Sequence, residues 1–356
     1  MKRLLCIILC LTTLFLSACG IYNEYSDTEK LLVAETLGLD SIPGGIRVSC
    51  ASSMGGEGLT LTGVGETVEA ALDNIQKRYM GRRLFVRHCS HIIIGEDTAR
   101  NGIEDILEYI CRSPEMRIDT PVYILRGQSA SKLMESAGEL TDTMAGISES
   151  SKQTLSFTAS DILSDMLRSS GALVCVLEAS RPSEKASELT VSLSGCAVIK
   201  NYRLCAFLDE GETLGAAFLM GNAYNGTLTV TDSRTGTVTL AVTGGGSSII
   251  PIYDESGELT GISVGAELKG TVSEIDGGVA VGSASYMRRL TELTEELVSE
   301  KINSVLRLTA SLGTDFLALG ESSGVGSELA RSLGTLKTQV RVSAVLSHTN
   351  DMRDGV

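Results

Sequence analysis

The chain is expected to fold as α+β, in two or more lobes whose mixed or antiparallel sheets are packed by amphipathic helices. Three observations lead there. Apolar residues repeat with helical period in only a few segments, short Val/Thr/Leu-rich runs broken by Gly, Asn, Asp and Ser fill most of the rest, and strands and helices do not alternate regularly as β-α-β. A length of 356 residues suggests about two domains, each large enough for a core. The best linker is Arg181-Pro182-Ser183-Glu184-Lys185, so the expected units are residues 1–18, 19–182 and 188–356.

Taken in order, Leu31 to Leu39 is an apolar segment that runs to Asp40 and a Pro43-Gly44-Gly45 turn. Ile46 to Ser52 and Leu59 to Thr62 read as strands. Val68, Ala71, Leu72, Ile75 and Tyr79 form one helical stripe over 67–79. Leu84 to Val86 and Ile92 to Ile94 read as parts of one buried strand. Ile103, Ile106, Leu107 and Ile110 mark a second helix that Pro114 closes, and Pro121 to Leu125 is a strand. Residues 136–157, rich in Ser, Thr and Glu and with little hydrophobic period, are expected to form an exposed crossing segment. Asp161 to Ser170 reads as helix and Leu173 to Leu177 as strand. Beyond the linker, 189–199, 203–208, 226–231, 236–243 and 261–271 read as short strands, Gly244-Gly245-Gly246 as a flexible turn, about 285–312 as a long helix, and Thr338 to Leu346 as a last strand.

Charge excludes some functions. With 30 Lys+Arg against 44 Asp+Glu, the formal net charge is −14, which opposes a nucleic-acid binder and polybasic attachment to anionic lipid. Only His88, His91 and His348 are available for imidazole chemistry. Within His88-Cys89-Ser90-His91, two strand histidines three apart point to opposite faces and do not easily share a metal, so His88 is expected to be a core or packing histidine. Gly63-Val64-Gly65-Glu66-Thr67 lacks both the third glycine of a dinucleotide loop and the Gly-Lys pair of a P-loop, and reads as a helix start. No Ser lies in Gly-x-Ser-x-Gly, and the Asp161/Asp165 pair resembles many surface pairs. No catalytic residue, metal site or cofactor is therefore expected. Arg82, Arg83 and Arg87 are the candidate partner surface, as a basic patch that is solvated or meets an acidic partner.

The N-terminus supplies the most specific short motif. Met1-Lys2-Arg3, an apolar run from Leu4 to Leu16, and Leu16-Ser17-Ala18-Cys19 are the parts of an export signal. The run is about 20 Å long as a helix, short of a bilayer core of about 30 Å. A plain signal peptide or a short anchor is the alternative reading. Leu-Ser-Ala-Cys resembles a bacterial lipobox, in which cleavage between Ala18 and Cys19 leaves an acylated Cys19 anchored in the bilayer. Removal of residues 1–18 leaves 338 residues with 28 basic and 44 acidic side chains. Cys50, Cys89, Cys111, Cys175, Cys196 and Cys205 remain; an even number outside the cytoplasm permits disulfides, buried free thiols are the plainer expectation, and Cys196 and Cys205 flank a turn that brings them near each other.

The order of several segments carries a resemblance. They include Cys19, Leu37-Gly38-Leu39-Asp40, Gly65-Glu66-Thr67-Val68-Glu69-Ala70-Ala71-Leu72 and Arg83-Leu84-Phe85-Val86-Arg87-His88. Ile92-Ile93-Ile94-Gly95-Glu96-Asp97-Thr98-Ala99, Gly102-Ile103 to Leu107 and Cys111 to Arg117 continue the series. Gly195 to Lys200 and Thr314-Asp315-Phe316-Leu317-Ala318-Leu319-Gly320 complete it. Together they resemble the spore-germination Ger(x)C lipoprotein family over nearly the whole mature chain. The resemblance implies a non-enzymatic C subunit of a germinant receptor, tethered to the outer face of the cytoplasmic membrane (the inner membrane of the spore) beside membrane-embedded A and B subunits. The family's Trp and Asp after the lipidated Cys are Gly20 and Ile21 here, and Glu321 to Leu336, where the family often has Trp, contains no aromatic residue. A substrate-binding lipoprotein of a transporter is the alternative, and a lipid-anchored hydrolase lacks the residues.

Overall fold

The computed structural model describes residues 30–52, 58–151, 155–180, 189–221, 226–233, 236–276, 284–332 and 334–348. Ala18, Cys19, the signal segment and the 181–185 linker lie outside the described residues. The first half runs β1 (Leu31–Val33), β2 (Thr36–Ile42), β3 (Gly45–Ser52), β4 (Leu59–Gly65), α1 (Val68–Arg78), β5 (Arg83–Phe85) and β6 (His91–Gly95). It continues through α2 (Glu96–Asn101), α3 (Glu104–Arg112), β7 (Val122–Leu125), α4 (Ala130–Met134), α5 (Ala137–Ser151), α6 (Ala159–Ser169) and β8 (Gly171–Ser180). The second half comprises β9 (Thr190–Lys200), β10 (Arg203–Phe207), α7 (Glu210–Leu219), β11 (Thr227–Asp232), β12 (Gly236–Tyr253) and β13 (Leu259–Asp276). It closes with α8 (Ala284–Leu312), α9 (Leu319–Ser322), α10 (Ser327–Ser332) and β14 (Lys337–His348).

The architecture is α+β with mixed sheets. An eight-stranded sheet has the order β10-β9-β8-β7-β6-β2-β3-β4. Its centre, β8-β7-β6-β2, is parallel, and both flanks are antiparallel. Helices on its faces bury the centre, so Ile92, Ile93 and Ile94 on β6 are all at 0% exposure and the strand reads as an unbroken apolar run. β9 and β10 extend this sheet from beyond the linker. The second sheet, β11-β12-β13-β14, is crossed by α8, which buries Leu290, Val298, Ile302 and Val305. Glu295 on α8 accepts the backbone N–H of Ala344, on the outer edge of β14, at 2.9 Å. α7 lies so close to α8 that a Cβ at Gly215 would sit 2.3 Å from the carbonyl oxygen of Lys301.

Local chemistry explains the element boundaries. Thr67 caps α1 by accepting the N–H of Ala70, so the Gly63–Thr67 segment ends β4 with Gly63–Gly65 and starts the helix at Thr67. The two glycines are packing devices, since a Cβ at Gly63 would meet Ala71 O at 2.2 Å and one at Gly65 would meet Ala71 N at 2.5 Å. Thr158 and Asp161 form a capping box on α6, and Asp209 and Glu212 form another on α7. Asp161 thus has a structural duty.

Four expectations are corrected. Residues 137–151 form the helix α5, which buries Leu140, Met144 and Ile147 at i, i+4 and i+7. Gly244-Gly245-Gly246 is no turn: it lies inside β12, beside a register shift, and pairs with Lys269, Leu268 and Glu267. A Cβ at Gly245 would stand 3.1 Å from the Phe218 ring, so that ring occupies the space a side chain would take. Leu84–Val86 and Ile92–Ile94 do not share a strand, because β5 pairs only with β1 while β6 is central in the large sheet. Cys196 lies opposite Cys175, not Cys205; Cys205 sits at a β-bulge and its thiol donates to Val198 O.

Candidate functional site

The arginine stretch is built on β5 and the turns around it. Period-two alternation turns Leu84 and Val86 inward and leaves Arg83 and Arg87 exposed. Arg82 is exposed as well. Gly81 enters the segment at φ +98°, a conformation that favours glycine. Gln76 on α1 fixes the segment from both sides, donating to Arg82 O at 2.6 Å and accepting from Leu84 N at 2.7 Å. Arg83 is 3.6 Å from Glu115, an exposed pair worth at most about 1 kcal/mol. Met80, beside it, is 87% exposed. The three arginines are therefore brought to one turn-and-strand surface.

β5 pairs in parallel with β1, Leu31 opposite Arg83 and Val33 opposite Phe85. The arginines thus flank the point where the chain from the N-terminus enters the fold. The periodicity of β5 was legible in the sequence, and its partner was not.

His88 and His91 do not share one environment. His88 is exposed in a turn, with its ring 5.3 Å from that of Phe85. His91 is buried on β6, its ring 6.2 Å from that of Tyr123 and its Nε2 without a hydrogen-bond partner. Burial lowers its pKa to about 4, which keeps it neutral. Among the described residues no group of three or more His, Cys, Asp or Glu side chains is arranged to hold a metal ion. Among them, too, no helix is long and apolar enough to cross a membrane.

A second feature is an open cleft of about 960 Å³ between the start of α1 and α3. Glu66, Glu69, Asp105 and Glu108 make it acidic, with Arg112 at its side. Tyr109 donates to Glu69 at 2.6 Å; burial and this bond raise the phenol's pKa. The cleft holds no nucleophile–base pair and offers charge without assembled catalysis.

The quoted sequence segments prove to be points where distant elements lock. Asp40, buried at the end of β2, accepts the N–H of Ala130 at 2.8 Å and of Ser131 at 2.7 Å, closing the start of α4. Gly95 leaves room for that carboxylate, since a Cβ there would be 2.4 Å from Asp40 Oδ1. Ser41 N donates to Thr98 Oγ1, and Glu96 accepts from Gly127 N and Arg100. Asp315, also buried, accepts the N–H groups of Leu319 and Gly320. Such contacts account for residue choice without a ligand.

Residues 24–178 match the family model described as "Spore germination protein N-terminal domain", and residues 194–324 match "Spore germination B3/ GerAC like, C-terminal". The chain belongs to the GerAC-type spore germination family. One relative in sequence is the "Putative spore germination protein YfkR" of Bacillus subtilis (strain 168), 24% identical over 165 residues. That alignment spans 45% of this chain and 42% of the relative's length. In structure, the chain resembles the crystal structure of the GerBC protein, with a TM-score of 0.57 and 16% identity over 88% of this chain and 97% of that one. At that identity the likeness to GerBC is one of fold, and it covers most of both chains.

Proposed function

We propose that this GerAC-type protein is the lipid-anchored, non-catalytic C subunit of a spore germinant receptor, acting beside membrane-embedded A and B subunits in nutrient-triggered germination. Acylated Cys19 holds the body on the outer face of the cytoplasmic membrane, the inner membrane of the spore. Twelve residues from Cys19 to Leu31 limit that tether to about 40 Å. The observation that carries the reading is the match of both spore-germination family models, over residues 24–178 and 194–324; the pairing of β1 with β5 adds an orientation to it. That pairing supports an orientation in which Arg82, Arg83 and Arg87 stand near the membrane, where the partners are. Anchoring raises the effective concentration of the body beside them. Signalling follows if that contact differs in strength between resting and triggered complexes.

The test is co-purification from detergent-solubilised membranes. Wild type brings down multi-spanning partners; Cys19→Ser loses membrane retention and partners together; an Arg82→Glu/Arg83→Glu/Arg87→Glu variant keeps retention and loses partners. Wild type that purifies alone overturns the receptor-subunit reading. The acidic cleft favours one second reading, a substrate-binding lipoprotein of a transporter, which predicts saturable binding of a small cation by the protein without partners.

A further inference from the structure

Cys175 on β8 and Cys196 on β9 stand directly opposite each other in an antiparallel pair. The hydrogen bonds around them define which kind of pair it is. Cys196 O accepts from Leu208 N at 2.8 Å, so the backbone polar groups of Cys196 face away from β8. Leu177 O accepts from Arg126 N at 2.9 Å, and Cys175, two residues earlier and paired with Tyr123 on β7, faces the same way. The bond from Asn201 N to Ser170 O fixes the same alternation farther along the ladder. The cysteines therefore form a narrow, non-hydrogen-bonded pair at the end of the regular stretch Gly171–Cys175, just before a register shift ahead of Leu177; regular geometry gives such a pair Cα atoms about 4.5 Å apart. A disulfide takes Cα separations of about 4.4–6.8 Å. Directly opposed side chains share one face of the sheet. Both residues are buried, at 3% and 1% exposure; in this structure both are free thiols, and that of Cys175 donates to Leu155 O at 3.1 Å. No other cysteine faces a cysteine in the described ladders: Cys50 faces Leu37 and Leu61, and Cys205 has no partner in register on β9.

We propose that Cys175 and Cys196 are a disulfide site that staples β8 to β9 across the linker. In the reaction one thiolate attacks a disulfide-class oxidant, and the second thiolate displaces the oxidant's remaining sulfur. Two protons leave, two electrons pass to the oxidant, and it departs as a dithiol. The bond forms before the strands close, because the contact with Cys175 and burial hold the folded Cys196 thiol well above its ordinary pKa. Its formation in the cell rests on the export reading above, since the cytosol keeps thiols reduced.

The test uses the full chain, trapped with acid and alkylated in denaturant without reductant before tryptic digestion. Arg181 precedes Pro182 and resists cleavage, so Cys175 falls in peptide 169–185 and Cys196 in peptide 186–200, with one cysteine each. The expected product is the two peptides joined, two hydrogens lighter than their sum and separated by reduction; Cys196→Ser abolishes it and leaves Cys175 alkylated. Processed, membrane-retained protein with both cysteines alkylated overturns the proposal and leaves the export reading intact. The purified full chain is also reduced, unfolded and refolded with oxidised and reduced glutathione. The linked peptide there supports the site whatever the compartment, and its absence there refutes it.

Discussion

Replacing Asp40 with Ala tests whether the segments that tie this chain to its family act by locking the fold. The Asp40 carboxylate is 5% exposed and accepts two backbone N–H groups at the start of α4. Removal strands the fully buried N–H of Ala130, at about 1–3 kcal/mol, and uncaps the helix, at about 1 kcal/mol. The expected loss is about 3 kcal/mol, read as a lower urea midpoint at unchanged slope. Gly95→Ala supplies the internal control. Its Cβ would press on Asp40 Oδ1 from 2.4 Å, so it destabilises the wild type by displacing the carboxylate. In the Asp40→Ala background that obstacle is gone, and the double variant loses less than the two single losses combined, by about 1 kcal/mol or more. A loss below about 0.5 kcal/mol for Asp40→Ala, or strict additivity, would refute the reasoning.

Three further outcomes are expected. The pKa of His91 is about 4 when folded against an ordinary 6.5, so the unfolded chain binds more protons in that window and stability falls as pH drops from 6.5 to 4. The loss approaches about 3 kcal/mol, and His91→Phe flattens the slope in pH-dependent denaturant titrations. Asp165 behaves oppositely: burial and then the charge of Asp161 raise it to about 6, so ionisation costs the folded state as pH rises from 3.8. Asp165→Asn is therefore expected to raise the thermal midpoint at pH 7.5 and to leave it unchanged below pH 4. Gly215→Ala forces a methyl against Lys301 O and is expected to cost about 1–3 kcal/mol, seen as a thermal midpoint lowered without change in the fold's circular dichroism.

What the sequence revealed follows from how local each signal is. The stripe Val68, Ala71, Leu72 and Ile75 predicts α1, and those four side chains are buried. The long helix was equally legible, because its apolar positions recur over about eight turns. α5 was missed although Leu140, Met144 and Ile147 carry the right spacing, because Ser and Thr between them masked a narrow stripe. β12 continues through three glycines because the ring of Phe218, from another element, fills the space beside Gly245, a fact no window of the chain contains. At the candidate site, the clustered arginines were visible as charge. Their position beside the entering N-terminal segment depends on parallel pairing between residues 31–33 and 83–85, which is non-local.

The β1–β5 ladder also has a mechanical meaning. It joins only three residue pairs, whereas β8 and β9 share nine in the eight-stranded sheet. A pull on the N-terminal segment meets that short ladder first, and it yields before the large sheet is loaded. Its release pays out about 10 Å of extra chain at about 3.3 Å per residue. That release also withdraws Leu32, which is 0% exposed, from the core, so in a protein tethered at its N-terminus, as proposed above, β1 would act as a fuse whose resistance is the burial of one leucine as much as the three-pair ladder.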